Sequence, residues 1–345
     1  MWKAVHVYYY EDKQESLLLD GIRPVLQRIQ AEGQVIRAYV QRRWNFGPHI
    51  AIHVEVEHEA SFDRALHVLR RRIGSYLKKH PSTKQLDQLS YKALFSKWSS
   101  PGRDTKTFEL IAPNNSIEAS ELHISNEWYG NEAIMELLHS FYAYTHELIL
   151  SEIERSRSNS QFRFLQMLRM MAVNGGYDLQ ETLLRGHISP RAKVSQYISS
   201  LPERDFVQEQ YEAADVQLGR AVDEVVQEVI LHTTKDGLYV GEDVILRRWS
   251  AARKELYKAI CKLSEVGVIP NQLAAYGRYC HEYSAHQVLN DSVVALMPLF
   301  HINRHEQFML KFLLIRSMER VESQGLYAGC RMPVTTTRTA ASFAQ

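Results

Sequence analysis

Hydrophobic and polar positions alternate most strictly at HIAIHVEV, where Ile50, Ile52, Val54 and Val56 take turns with His49, Ala51, His53 and Glu55. A period of two predicts a strand over 48–57 with one face in the core and the other polar. Similar runs predict strands over 2–10 and 34–41. Between the first two, ESLLLDGIRPVLQRIQAEG reads as a helix ended by Gly33, and 61–80 reads as another, with Phe62, Leu66, Leu69, Ile73 and Leu77 at helical spacing.

From Pro81 to about Asn126 the periodicity weakens, and PGRD and PNNS mark turns around a short strand near TFELIA. A long helix then starts near Asn131 and runs through NEAIMELLHSFYAYTHELILSEIERSR, with further helices over 160–174, 205–232 and 247–265. The fold class is α+β. An amino-terminal, mostly antiparallel sheet with packed helices (1–126) leads into a largely helical second half (127–333), together one domain, and a Thr/Ala-rich tail (334–345) is expected to be poorly ordered.

Composition changes this picture little. With 45% hydrophobic and 23% charged residues in 345, the chain can bury a sizeable core, and a net charge of +1 gives no global reason to bind nucleic acid or an anionic membrane. Any basic site must be a patch. Cys261, Cys280 and Cys330 are odd in number and lack CxxC spacing, which argues against a disulfide framework and a structural zinc site and favours a reducing, cytoplasmic setting. The opening MWKAVHVYYYEDKQES turns polar after about ten residues, too soon for a signal peptide or a spanning helix.

Four groups of residues carry candidate chemistry. His139, Tyr142 and His146 fall at i, i+3 and i+7, an acid-base rail or the polar edge of an amphipathic helix. RYCHEYSAH gathers six proton-transfer groups, of which Tyr283 and Ser284 are favoured as catalytic and His286 as substrate-binding; a metal site at Cys280, His281 and His286 lacks a fourth ligand, and the bland alternative is a surface loop. His49 and His53 share one side of their strand, with Arg42 and Arg43 shortly before, a face able to bind peptide carbonyls or merely solvated. Arg64, Arg71 and Lys78 recur every seven residues as a basic stripe.

The segment AYVQRRWNFGPHIAIHV resembles the glycine-proline-histidine strand of the lantibiotic dehydratase C-terminal domain, which also stands alone as a thiopeptide-type biosynthesis domain. WKAVHVYYY, APNNSIEASELHISNEWYGNEAIMEL, RGHISPRAKVSQYI and LNDSVVALMPLFHINR agree with it in order. Members that eliminate glutamate from glutamylated serine carry arginines where this chain has Ala51 and His53, an arginine at Trp128, and a histidine at about Leu299. Without these groups the chain is more similar to the pyridine synthases of that family. The resemblance implies a formal [4+2] aza-cycloaddition of two dehydroalanines, loss of water and expulsion of the leader, with no metal or redox cofactor.

It also implies a partner, a leader-bearing precursor peptide containing dehydroalanines and azoles, and the protein itself is expected to be a monomer or homodimer. Acidic leaders make Arg64, Arg71 and Lys78 a docking stripe, and Asn303 and Arg304 match the family's terminal pair, offering donors to backbone oxygens or anchoring the last helix. Asp291 and Ser292 can instead cap a helix. Two other functions remain open, the glutamate-elimination subunit of a split dehydratase and a noncatalytic leader-binding module.

Overall fold

Four antiparallel strands form one sheet in the order β2-β3-β1-β4, where β1 is Trp2–Tyr8, β2 is Arg37–Arg43, β3 is His49–Glu55 and β4 is Ile117–Ser120. The computed structural model describes residues 1–98, 111–120, 132–157, 159–175, 190–234, 237–267 and 288–323. The turn from β2 to β3 needs its glycine: Gly47 has φ +115°, and a Cβ there would sit 2.8 Å from the Tyr10 hydroxyl. That close approach lets the strand enter at Pro48 with β3 in register.

On one face of the sheet Val5, Val7, Val40, Ile50, Ile52 and Val54 join the core with Ile22, Leu26, Ile29, Leu69 and Ile73. These come from a π-helical turn at Leu17–Ile22, from α1 at Arg23–Ala31 and from α2 at Glu59–Lys79. The His58 imidazole caps α2 by accepting from the Ser61 amide at 3.1 Å. Strand, helix, strand, strand, helix is the order that the periodicity predicts.

The other elements are mostly helical: α3 at Gln88–Trp98, α4 at Glu132–Arg155, α5 at Ser160–Gly175, α6 at Pro190–Ser199, α7 at Arg204–Leu231, α8 at Val244–Glu265, α9 at 288–294 and α10 at Arg304–Ser323. Asp243 caps α8, accepting from the amides of Ile245 and Leu246 at 2.9 and 3.0 Å. Arg320 of α10 clamps Asp215 and Asp223 of α7 with four bonds of 2.8–3.0 Å and a fifth of 3.1 Å. None of the described helices is long and apolar enough to cross a membrane.

Two expectations change. A short strand, β4, stands at 117–120, while of TFELIA Ile111 and Ala112 are not strand and 107–110 lie outside the described residues. The supposedly polar face of β3 is buried, because a helix and a layer of rings cover it: His49 and His53 are 1% and 3% exposed. Helices α3 and α6 have no counterpart in the periodicity. In α3 Tyr91 and Phe95 are buried while Leu89 is 81% exposed, so apolar spacing misreads the inward face.

Candidate functional site: the histidine face of the sheet

Register fixes which side chains share the second face of the sheet. Ala4 pairs with His53, His6 with Ala51 and Tyr8 with His49, while Tyr39, Gln41 and Arg43 of β2 oppose the same three β3 residues. Two rows of rings and amides thus flank a strand whose middle position, Ala51, is small.

Helix α4 lies over one end of this layer. The Tyr39 hydroxyl meets His139 Nδ1 at 2.8 Å, Trp2 stacks on His139 with centroids 4.5 Å apart, and Tyr142 lies 5.3 Å from Tyr39. His53 stacks on Tyr39 at 4.5 Å. Arg37 fixes this end by pairing with Glu55 and with Glu136. At the other end His6 stacks on His49 at 4.6 Å and Tyr8 tilts against it at 4.9 Å.

Burial makes these groups neutral. It drives His49 and His53 well below the usual histidine range, helped by neighbouring His6 and by Arg43, and it takes His139 down to about 4 with Arg37 adding to the effect. It raises Tyr39 well above 10, so the phenol keeps its proton. His49 Nδ1 lies 2.9 Å from the Gly47 carbonyl, which can only accept, so Nδ1 carries the proton and Nε2 presents a lone pair. His53 has no hydrogen-bond partner among the described residues at either ring nitrogen, although both are shielded from solvent.

Arg43 is the cation of this end. Its Nη2 donates to Gln41 Oε1 at 2.6 Å, and among the described residues no carboxylate pairs with it. A half-buried guanidinium with spare donors beside neutral imidazoles suits an oxygen that gains negative charge.

The remaining candidates separate. His139 and Tyr142 join the layer, whereas His146 sits two turns on, about 10 Å further along the helix. There His146 is buried with Nε2 unpartnered, and burial, then Arg23, lowers it to about 4. Of the three, His139 and Tyr142 are the ones that meet Tyr39 of the layer.

Arg42 does not bind substrate from this face: alternation turns it to the opposite one, where it is 6% exposed and donates to the Asp12 carbonyl and to His301 Nδ1, both at 2.8 Å. His301 Nε2 is 3.2 Å from Glu15, which also pairs with Arg163 at 2.7 Å. Asn303 is committed as well. Its Oδ1 accepts from the Glu306 amide at 3.1 Å while Glu306 accepts from the Asn303 amide at 2.7 Å, a capping box that starts α10. Arg304 lies over the Tyr197 ring at 5.1 Å. Both contacts are of the anchoring kind. Ser292 lies inside α9 and donates to the Leu289 carbonyl at 2.7 Å, so it does not cap that helix.

Arg64, Arg71 and Lys78 are exposed on α2, across the sheet from the histidine layer. Tyr283, Ser284 and His286, with Cys280, His281, Trp128 and Cys330, lie outside the described residues. Among the described residues no group of His, Cys, Asp or Glu is placed to hold a metal ion. Sequence reasoning missed Trp2, His6, Tyr8, Tyr39 and Gln41 as members of the layer. The signal was present: HVY and AYVQR place a ring or amide at every second position of β1 and β2, in phase with His49 and His53.

A sheet whose glycine-proline-histidine turn delivers β3 into such a layer, backed by a helical half, defines a recognisable class. The chain belongs to the family described as the lantibiotic biosynthesis dehydratase C-terminal domain, whose model matches residues 2–318. Among solved structures it is similar to the pyridine synthase TbtD from thiomuracin biosynthesis, with 20% identity, a TM-score of 0.73, and 94% of this chain and 99% of that one covered. It is also similar to TsrL, at 15% identity and a TM-score of 0.63 over 96% of this chain and 99% of the other. At these identities the likeness concerns the fold. No curated protein sequence matches the chain.

Proposed function

We propose that the protein is a pyridine synthase acting on a leader-bearing, ribosomally made peptide with dehydroalanines and azoles. Two dehydroalanines join in a formal [4+2] aza-cycloaddition, water leaves, and the leader departs as its amide when the ring becomes aromatic. Each step is redox-neutral, so binding geometry and proton transfer suffice. The observation that supports this reading best is the histidine face: neutral imidazoles and phenols surround Ala51, where elimination of glutamate calls for arginines on β3.

Arg43 keeps the second reading in view, because a guanidinium with no carboxylate partner among the described residues can also hold a departing glutamate carboxylate. One assay separates the two. Purified protein is given, in parallel, a leader-bearing peptide with two dehydroalanines and a glutamylated serine peptide, and products are identified by mass spectrometry. Closure of a pyridine macrocycle on the first supports the proposal; free glutamate from the second, with the first untouched, replaces it with elimination.

A further inference from the structure

His49 and Arg43 are cross-strand partners at the end of the sheet away from the contact of Tyr39 with Tyr142 of α4, and the two lack different things. His49 has its tautomer fixed by the Gly47 carbonyl 2.9 Å from Nδ1, and its Nε2 lone pair has no hydrogen-bond partner among the described residues. Arg43 has a guanidinium steadied by one bond of 2.6 Å to Gln41 and no counter-ion among the described residues. Directly opposed side chains on neighbouring antiparallel strands have Cβ atoms about 5 Å apart. One amide plane of a bound peptide spans such a pair, with its N–H toward the imidazole and its oxygen toward the guanidinium.

We propose that His49 and Arg43 together convert a backbone amide of the bound peptide into its iminol, supplying half of the diene for ring closure. This rests on the pyridine-synthase reading and assigns its first proton transfer. The N–H bond of the amide breaks as His49 Nε2 takes the proton, the C–N bond becomes double, and the electron pair of the C=O bond moves to oxygen, where Arg43 meets the charge. A proton from solvent completes the iminol at that oxygen, and the imidazolium gives its own proton back to solvent, so the proton count balances. Nothing is oxidised or reduced, and the protein ends as it began.

The surroundings suit both roles. His6 stacks on the His49 ring and Tyr8 closes its other edge, so the imidazole cannot swing away. Burial and Arg43 disfavour a resting imidazolium at His49, which keeps the base ready at neutral pH. Such an imidazolium forms only as the negative oxygen of the same amide develops against Arg43. Gln41, opposite Ala51, holds the guanidinium without neutralising it.

The test uses the full-length protein and a leader-bearing peptide with two dehydroalanines, with ring closure followed in single turnovers. His49→Gln and Arg43→Gln should each slow closure about a hundredfold or more, as expected when a positioned proton carrier or oxyanion donor is removed. The double variant should be little slower than the slower single one, because the two act as a unit. Arg43→Lys, which keeps the charge and loses the fork, should fall between. Leader affinity should stay within about twofold throughout, since the pair acts on core peptide.

Matched thermal unfolding qualifies each variant, and if His49→Gln does not fold, the half-exposed Arg43→Gln decides alone. A folded Arg43→Gln or His49→Gln variant that closes the ring at the wild-type rate overturns the proposal. Independent, multiplying losses in the double variant overturn the pairing. Wild-type protein that closes no ring is a separate result: it removes the pyridine-synthase reading itself, and this proposal with it.

Discussion

At the scale of single residues, His53 is the exception to ordinary packing. A buried imidazole with both nitrogens unpartnered costs about 1–3 kcal/mol of lost hydration, whichever nitrogen holds the proton. His53→Leu should therefore leave the melting temperature unchanged or raise it, even if ring closure slows; a fall of several degrees would show that the imidazole is held by contacts beyond its stacking on Tyr39. The alternation in β3 made this residue visible in the sequence, but not its burial. Periodicity says which side chains share a face, and what covers that face depends on α4, some 80 residues later in the chain. For the same reason Arg42 and Arg43, adjacent in sequence and alike in chemistry, divide between a buried anchor and an open donor.

At the scale of elements, the long helices and three of the strands were legible because their periods run for many residues, while α3, α6 and β4 were not, being short and half covered. Helix α4 shows the limit within one element. Spacing aligns His139, Tyr142 and His146 on one stripe, of which the first two meet Tyr39 of the sheet. The exposed stripe of α2 leads to a prediction at this scale. Exchanging Arg64, Arg71 and Lys78 for glutamates should weaken binding of an acidic leader about tenfold in dilute buffer and much less in high salt, because exposed charges act through screened attraction. Fluorescence titration of labelled leader at two salt concentrations measures it; equal affinities for triple variant and wild type in dilute buffer would return the stripe to a solvated helix face.

For the whole molecule, buried neutral histidines couple folding to pH. His139 and His146 sit at about 4 in the folded state and near 6.5 unfolded, so their contribution is complete above 6.5 and is lost as pH falls toward 4. Each shift corresponds to roughly 3 kcal/mol at full effect. Burial pushes Glu15 up, but His301 and Arg163 outweigh it and leave it at about 2, which extends the loss below 4.5. Denaturant unfolding at pH 7.5, 5.5 and 4.5 should show a steady decline, and a flat profile across that range would mean that these imidazoles are not held neutral. The family match spans residues 2–318, and the chemistry proposed for the histidine face can be measured on the whole chain. In a single turnover, wild-type protein mixed with a leader-bearing bis-dehydroalanine peptide and no other addition should release one free leader amide for each pyridine ring formed, both rising at one rate by quenched-flow mass spectrometry. Leader that stays attached while the peptide remains linear, or glutamate appearing from a glutamylated peptide in its place, would contradict the assignment.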